Sequence, residues 1–441
     1  MLTEITRSNL AAIGDLRLRS YAKQYIEIAE QFAALVRETG MEFESTDRRT
    51  EAAARREALR ARGALVRNND HSVYINRISP ACLACQKGLG SATFFNSLQC
   101  HRKCFYCFNP NQEEYQEFST AKRDAAAELV ELAGDGIRFS HVGLTGGEPL
   151  LHPDEAIAFF RTAKQRFPSV HARLYTSGDH IDRALLTRLQ EAGLDEIRFS
   201  VRAHDSEQGR RHTYERIALA REYIACVMVE TPVLPGTLPI MKEMLRELER
   251  LQIFGVNLLE FCYPFNNADA YRERGYLIKN PPYRTLYDYW YAGGLPVADS
   301  ELDCLELLQF MLDEQMTIGG HYCSLENKHT GQIFMQHWGQ KVPHTACVSE
   351  RDYFYKTIKV FGDDMSRVRK ALDRAGESRY TVNQEYRYIE FHPDGMAALQ
   401  KLNVTAAVCT LVLEHRSGGA FLRELKVDLT TPQTFDREAD L

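Results

Sequence analysis

The stretch Cys100-His-Arg-Lys-Cys104-Phe-Tyr-Cys107 decides how the rest of this sequence is interpreted. Three thiols within one short turn are too close together to be three independent disulfide partners. They suit one face of an iron–sulfur cube, in which each cysteine holds one iron and the fourth iron has no protein ligand. The alternatives are a zinc knuckle or three unrelated buried cysteines, but no fourth zinc ligand follows Cys107 at a short spacing. The spacing therefore predicts a [4Fe–4S] cluster on Cys100, Cys104 and Cys107.

A predicted strand over residues 91–99 leads into these cysteines, which places them on the loop at its C-terminal end. Further strands are predicted at 138–145, 171–176, 196–202, 225–232 and 256–262. Helices are predicted at 119–133, 153–166, 181–193, 213–223, 238–253 and 301–314. Strict alternation of strands and helices implies a parallel sheet with helical crossovers. The C-terminal ends of such strands carry the chemistry in open α/β sheets and βα barrels.

The bulk composition restricts the class of protein. The chain has 441 residues, a net charge of −6, 44% hydrophobic and 26% charged residues, which is ordinary for a globular protein. This acidic balance gives no support for a nucleic-acid partner held by phosphate neutralisation. The sequence has no run of 18 apolar residues and no apolar signal-peptide core at its start, so we expect a cytoplasmic protein without a membrane partner. In that reducing compartment, 11 cysteines indicate metal or redox chemistry more than disulfides.

The segments around the alternating region predict three domains. Residues 1–70 are expected to form an N-terminal helical extension, and residues 71–345 a partial barrel with an additional cysteine-rich site. Within the second domain, a further strand is predicted at 316–323 and an irregular segment at 325–350. Residues 346–441 are expected to form a small α+β domain, because strand patterns and helix patterns alternate there before two final strands.

A second motif, Gly143-Leu-Thr-Gly146-Gly147-Glu148-Pro149, ends the second predicted strand. Glycines let a backbone approach a ligand closely, and a glutamate accepts hydrogen bonds from an ammonium group. Cys-x3-Cys-x2-Cys with an aromatic before its last cysteine, followed by Gly-Gly-Glu, resembles the signature of the radical S-adenosylmethionine (SAM) superfamily. The resemblance implies a partial (β/α)6 barrel. It also implies a [4Fe–4S] cluster whose open iron is chelated by the amino and carboxylate groups of SAM.

In that superfamily, residues near the cluster and at several strand ends hold SAM. The positions that match here are Tyr106, Gly146, Gly147, Glu148, Thr176, Ser200 and Arg202. The resemblance implies that Tyr106 packs near the adenine, the Gly-Gly-Glu motif holds the amino group, and Ser200 and Arg202 meet the ribose and the carboxylate. Ser200 and Arg202 share strand parity, so both can face the barrel interior. An inward arginine needs an anion, and the alternative to SAM is a nearby Asp or Glu.

The chain also resembles a branch of the superfamily that is related to pyruvate formate-lyase activating enzyme and has no assigned reaction. The matching stretches are Cys82–Gly88, Val256–Phe261 and Tyr322-Cys323-Ser324, with Lys328 and Gln332. This resemblance covers roughly residues 80–335. It implies no substrate.

The expected reaction is reductive cleavage of SAM to methionine and a 5′-deoxyadenosyl radical, which takes a hydrogen atom from a substrate. An electron donor such as flavodoxin or ferredoxin would supply the electron, and no catalytic residue is expected beyond the cluster and SAM ligands. The additional cysteines favour modification of a peptide or protein side chain. The alternatives are conversion of a small metabolite, glycyl-radical activation of a partner enzyme, and a non-catalytic iron–sulfur electron carrier, for which the Gly-Gly-Glu motif would serve no purpose.

Other cysteines predict a second metal site. Cys82 and Cys85 form a Cys-x2-Cys pair before the first barrel strand, and Cys323 follows a strand after the sixth unit. The two edges of a partial barrel would bring them together, with Cys347 as the candidate fourth ligand. Such thiolates suit a second iron–sulfur cluster, mononuclear iron or structural zinc. The alternative is that these cysteines are buried small hydrophobes or lie near a turn.

Overall fold

A computed structural model describes residues 2–112, 114–282 and 294–441. Its helices are α1 (Leu16–Glu38), α2 (Arg49–Ala61), α3 (Pro80–Cys85), α4 (Tyr115–Phe118), α5 (Ala125–Gly134), α6 (Pro153–Arg166), α7 (Arg183–Glu191), α8 (Glu207–Ala220), α9 (Leu238–Arg250), α10 (Ala268–Arg272), α11 (Ser300–Asp313), α12 (Leu325–His337), α13 (Met365–Arg374) and α14 (Arg437–Asp440). Its strands are β1 (Thr3–Glu4), β2 (Leu65–Arg67), β3 (Ser72–Ile75), β4 (Ser91–Phe95), β5 (His141–Thr145), β6 (His171–Thr176), β7 (Glu196–Phe199), β8 (Cys226–Val233), β9 (Gly255–Glu260), β10 (Cys262–Tyr263), β11 (Leu295–Pro296), β12 (Gly319–Cys323), β13 (Cys347–Val348), β14 (Tyr355–Phe361), β15 (Tyr380–Asn383), β16 (Tyr388–Phe391), β17 (Ala406–Arg416) and β18 (Gly419–Thr430). None of the described helices combines the length and the apolar character needed to cross a membrane.

The chain folds into two compact units, of which Thr39–Gly331 is the larger. This unit is built on a nine-stranded sheet in the order β2-β3-β12-β9-β8-β7-β6-β5-β4. The strands from β4 through β9 pair parallel to one another, and β12 extends this parallel series. β3 then pairs antiparallel with both β12 and β2. Within the described residues, β4 and β2 are the two ends of this path. The predicted α/β partial barrel is confirmed, and β12 matches the further strand expected at 316–323.

The two faces of this sheet differ because side chains alternate along each strand. On one face, Leu144 of β5 and Leu174 of β6 are fully buried in the apolar core with Phe159 of α6. On the other face, Arg173 of β6 and Arg198 of β7 are polar yet only 4% exposed. The helices therefore cover an apolar face, and the barrel lumen is polar.

The second unit comprises Met1–Glu38 and Gln332–Leu441. Its antiparallel sheet runs β1-β18-β17-β14-β16-β15, with β13 paired to β14. Leu18 of α1 is buried in one core of this unit with Leu411 and Val427, and Val368 of α13 is buried in another. The structure therefore divides the predicted N-terminal extension, since α1 belongs to the C-terminal sheet and α2 to the barrel unit.

The prediction of an irregular segment at 325–350 was wrong. This segment contains the thirteen-residue helix α12 and the short strand β13. The buried positions of α12 include the polar side chains Asn327, His329 and Thr330. Polar residues on a buried helix face remove the apolar periodicity by which helices are recognised. The apolar periodicity of the sequence therefore does not indicate α12, because this helix is supported by tertiary contacts of polar side chains.

The placement of α1 with the C-terminal sheet can be tested by hydrogen exchange. We expect Leu18→Ala, at a side chain that is 1% exposed, to remove about 2–5 kcal/mol of packing free energy. Amide protection should fall in β17 and β18 and stay unchanged in β5 and β6. Leu16→Ala, at a position that is 71% exposed, is the matched control and should change neither. Equal loss of protection in both sheets would contradict this grouping.

Candidate active site

The loop that carries the three cysteines begins beside the turn that follows β5. The Gly147 N–H donates to the Ser97 carbonyl (3.0 Å), and the Glu148 N–H donates to the Gln99 carbonyl (2.7 Å). A Cβ atom on Gly147 would overlap the Gln99 carbonyl, and one on Gly146, where φ is +111°, would overlap the Ser97 carbonyl. Only glycine fits at both positions. The Gly-Gly pair therefore lets the start of the cysteine loop lie directly against the Glu148 turn.

The cysteines themselves lie on an irregular loop. Cys100 is exposed, whereas Cys104 and Cys107 are half-buried. The Arg102 N–H lies 3.4 Å from Cys100 Sγ, and the Cys107 N–H donates to the Cys104 carbonyl (3.1 Å). Burial raises the pKa of the Cys107 thiol. Metal binding would therefore have to displace a proton from this cysteine.

An ion pair ties the cysteine loop to the loop after β6. Arg102 donates from Nε and Nη2 to the two carboxylate oxygens of Asp179, at 2.7 and 2.6 Å. The imidazole of His101 contacts the same carboxylate. Burial acts to raise the pKa of Asp179, but Arg102 and His101 lower it by more, to well below its usual range. Asp179 is therefore charged at neutral pH and holds the cysteine loop from a second side.

Glu148 joins the turn after β5 to the turn after β6. Its carboxylate accepts hydrogen bonds from the Thr176 hydroxyl (2.8 Å) and from both the N–H (2.7 Å) and the hydroxyl (2.6 Å) of Ser177. It also accepts one from the Leu150 N–H (3.1 Å). The residue is 2% exposed. The structure thus links two predicted SAM-binding residues, Glu148 and Thr176, and gives Glu148 a positioning role. Its contact with the SAM amino group stays a prediction.

Arg202 forms an ion pair with Asp205 near the cysteine loop. The residue is 5% exposed, and its Nε donates to Asp205 Oδ2 (2.9 Å). Its Nη2 is 2.9 Å from the same oxygen but is buried without a hydrogen bond to any described residue. The ion pair that the sequence left open as an alternative is therefore present, and one guanidinium nitrogen within it forms no hydrogen bond with the described residues. Ser200, two residues earlier, donates its N–H to the Thr176 carbonyl (3.0 Å).

Tyr106 packs among aromatic rings at the same end of the barrel. Its ring centroid is 5.3 Å from that of His204 and 5.6 Å from that of Phe261, both edge-on. The neighbouring Phe105 contacts His204, Phe261 and Tyr271 in the same way. The cysteine loop therefore has an apolar side, which borders the segments that follow β7 and β9.

Three of the four cysteines predicted to form a second metal site lie in the barrel unit. Cys82 and Cys85 lie on the short helix α3, and Cys323 ends β12. Burial raises the pKa of Cys323 to about 12; Lys328 opposes this shift, whereas the charges of Cys85 and Cys82 add to it. The three thiols are therefore within electrostatic reach of one another. Cys347 lies on β13 in the other unit, and its participation stays a prediction.

The donor set distinguishes a cluster from a single ion. Over residues 2–112, 114–282 and 294–441, no three His, Cys, Asp or Glu side chains are arranged to hold one metal ion. A cube differs, because its cysteines bind different irons and their sulfurs need not converge on one point. The three-cysteine loop, with the free Arg202 donor beside it, fits a cube with SAM on its open iron.

Comparison with known proteins agrees with this geometry. Residues 97–249 match the profile of the radical SAM superfamily. The chain therefore contains a radical SAM domain. The predicted recognition is confirmed, and this match supports a [4Fe–4S] cluster and SAM as cofactors.

Two curated relatives and one solved structure show what the chain is similar to. A Methanocaldococcus jannaschii protein, named as a candidate glycyl-radical enzyme activating enzyme, is 27% identical over 216 residues, which cover 46% of this chain and 56% of that protein. The PqqA peptide cyclase of Granulibacter bethesdensis is 27% identical over 170 residues, covering 37% and 44%. Streptococcus suis SuiB bound to SAM aligns with a TM-score of 0.40 and 13% identity, covering 53% and 50%. The chain thus spans about half the length of the curated relatives it matches.

Sequence reasoning missed three residues that build this site, namely Arg102, Ser177 and Asp179. The polar residues that follow Thr176 at the end of a strand could have indicated that Ser177 and Asp179 belong to the site. Nothing in the sequence indicated their partners, because Asp179 and Arg102 are 77 residues apart.

The role of Glu148 predicts a loss of stability that does not depend on any ligand. Glu148→Ala would leave the buried Thr176 hydroxyl and the Ser177 N–H without an acceptor, which costs about 1–3 kcal/mol for each unsatisfied group. We expect a lower thermal unfolding midpoint for the apoprotein without SAM. Glu155→Ala, at a partly exposed residue of α6 that pairs with Lys122, is the control and should have little effect. An unchanged midpoint for Glu148→Ala would show that the carboxylate does not hold this turn.

Proposed function

We propose that the chain binds a [4Fe–4S] cluster through Cys100, Cys104 and Cys107 and uses it to cleave SAM. When bound and reduced, the cluster supplies one electron to the SAM sulfonium, which yields methionine and a 5′-deoxyadenosyl radical. The observation that carries the proposal is the hydrogen-bonded junction between the cysteine loop and the Gly146–Glu148 turn. That junction brings the proposed cluster ligands beside the residues proposed to hold SAM.

Each residue around the junction has a proposed task. The free Nη2 of Arg202 would bind the SAM carboxylate, since a buried guanidinium donor is strongest when paired with an anion. Ser200 would meet the ribose, Thr176 would fix the Glu148 carboxylate, and Glu148 would accept from the SAM amino group while holding the β6 turn. The Arg102–Asp179 ion pair would keep the cysteine loop in place.

Exclusion of water is the task proposed for the aromatic rings. Phe261 is 2% exposed and stacks on the fully buried Tyr271 with centroids 5.4 Å apart. With Phe105 and Tyr106, these rings form an apolar wall beside the cysteine loop. A reactive carbon radical needs such a wall, because contact with solvent or a stray thiol would quench it.

The proposed substrate is a peptide or protein side chain. The support is the similarity to PqqA peptide cyclases, together with the additional cysteines of the barrel unit. Glycyl-radical activation of a partner enzyme is the second candidate, favoured by the Methanocaldococcus jannaschii relative. In either case a cytoplasmic one-electron donor such as flavodoxin or ferredoxin would reduce the cluster. A simple electron carrier would have no use for the Gly-Gly-Glu turn or for a free buried arginine donor.

SAM cleavage is directly measurable. Reconstituted protein reduced with dithionite should convert SAM to 5′-deoxyadenosine and methionine, as followed by chromatography. Cys104→Ala should abolish product formation, because it removes one proposed cluster ligand. Cys409→Ala changes a fully buried cysteine of the C-terminal sheet and should retain activity. Full activity in the Cys104→Ala protein would refute the assignment of this loop.

The substrate class can be identified without knowing the substrate. Cells are grown in deuterated medium, and their extract is separated into low-mass, peptide and protein fractions. Each fraction is then added to the reaction in ordinary water. Hydrogen abstraction transfers deuterium to 5′-deoxyadenosine, which mass spectrometry detects. We expect label only with the peptide or protein fraction. An oxygen-sensitive glycyl-radical signal with the protein fraction would select the second candidate, and label with only the low-mass fraction would exclude both.

A further inference from the structure

The lumen of the barrel contains a hydrogen-bonded polar group that the SAM site does not use. Arg198 of β7 donates from Nη1 to Glu230 of β8 (2.7 Å), and Asn257 of β9 donates from Nδ2 to the same carboxylate (2.8 Å). Asn257 Oδ1 is in turn 3.0 Å from Nδ1 of His321 on β12. These contacts cross four neighbouring strands of the sheet and fix the orientation of the Asn257 amide.

Two cysteines receive donors from this lumen. Cys82 Sγ is 3.3 Å from Arg198 Nη2 and 3.3 Å from Asn257 Nδ2. Cys323 Sγ is 3.2 Å from Asn327 Nδ2 on α12. Hydrogen bonds from N–H groups to sulfur are the arrangement that tunes metal-bound thiolates. The Cys82 thiol also lies 3.7 Å from Asn257 Oδ1, to which it donates while it is protonated.

The third cysteine, Cys85, is brought to the same place by two helices. Cys82, which is buried, and Cys85, which is exposed, are three residues apart on α3, so they lie on neighbouring positions of one helix face. Gly331 packs α12 against the end of α3, since a Cβ on Gly331 would be 2.5 Å from the Cys85 carbonyl. The same helix α12 supplies Asn327 to Cys323. It therefore connects the two cysteine groups.

The positive side chains around these cysteines favour the binding of an anion. Arg198 is balanced by Glu196 and Glu230. Arg173 is 4% exposed, and among the described residues its Nε and Nη2 donate to Tyr175 and Thr93, while its buried Nη1 has no partner there. Lys328, which is half-buried, forms no hydrogen bond or ion pair with any residue that the structure describes, and Glu230 is the carboxylate whose charge acts on it. Gly143 leaves room for the Arg173 guanidinium, which a Cβ there would meet at 3.0 Å. A buried cation without a counter-ion is strongly destabilising.

We propose that Cys82, Cys85 and Cys323 hold a second [4Fe–4S] cluster in the barrel lumen, with one iron free of protein ligands. The oxidised iron–sulfur core carries two positive charges, so three thiolates leave one net negative charge, and reduction adds another. The cations Arg173 and Lys328 complement that charge. The open iron is the binding point for a substrate group with a lone pair, such as a carboxylate or an amine.

This second cluster is separate from the SAM cluster. Cys82 of the proposed site contacts Arg198 and Asn257, which lie within β7 and β9, whereas Cys100, Cys104 and Cys107 lie on the loop that follows β4. The two groups therefore have no ligand in common. The inference does not depend on SAM cleavage, because cluster content is measured without SAM.

Iron analysis of anaerobically reconstituted full-length protein tests the inference. Wild-type protein should hold about eight irons and eight sulfides per chain, and a Cys100→Ala, Cys104→Ala, Cys107→Ala triple variant about four. A Cys82→Ser, Cys85→Ser double variant should also hold about four, while Cys304→Ala, a buried cysteine of α11, keeps the wild-type content. An iron-free but folded triple variant, full iron content in the double variant, or bound zinc in the triple variant would each overturn the proposal.

If the cysteine variants fail to fold, a variant that removes a charge tests the same site. In reduced wild-type protein, electron paramagnetic resonance should show two cluster signals, of which SAM alters one. Lys328→Met removes a cation beside the second cluster, so the SAM-insensitive signal should require a more negative potential to appear. The SAM-sensitive signal should titrate as in wild type. A shift confined to the SAM-sensitive signal, or no shift in either, would place Lys328 away from a second cluster.

Discussion

Two backbone hydrogen bonds, from Gly147 to Ser97 and from Glu148 to Gln99, are the contact on which the rest of the site depends. They extend the pairing of β4 with β5 beyond the strand ends, into the two loops that carry the sequence motifs. The pairing requires two residues without a Cβ, because the carbonyls of Ser97 and Gln99 occupy that space. The glycines of the motif therefore serve the approach of one loop to another as much as the approach of a ligand.

The contacts around this junction connect the cysteine loop, the turn after β5 and the loop after β6 to one another. Glu148 continues from the junction to the turn after β6, where it accepts from Thr176 and Ser177. Asp179, on the loop that follows that turn, returns to the cysteine loop through Arg102. The cysteine loop is thus held from two sides by protein contacts alone. Such preorganisation keeps the proposed ligands in position when SAM enters and the cluster changes charge.

The polar lumen gives the barrel two chemically different regions. The aromatic wall of Phe105, Tyr106, Phe261 and Tyr271 lies beside the cysteine loop and suits a radical that must avoid water. The lumen lined by Arg173, Arg198 and Asn257 suits an anionic group. A substrate lying between the two would have a polar group held in the lumen and a C–H bond presented to the SAM site.

Local spacing in the sequence was sufficient to identify the superfamily, the strand and helix alternation, and the candidate cluster and SAM residues. These features depend on residues close together in the chain, such as the cysteines of 100–107 and the turn of 143–149. Only the tertiary structure assigned α1 to the C-terminal sheet, revealed α12 and gave Glu148, Arg102 and Asp179 their partners. It also brought Arg173, Arg198 and Lys328 into the lumen with the cysteines of α3 and β12. The physical reason is that burial and charge pairing join residues far apart in sequence, and neither leaves a periodic or spaced pattern along the chain.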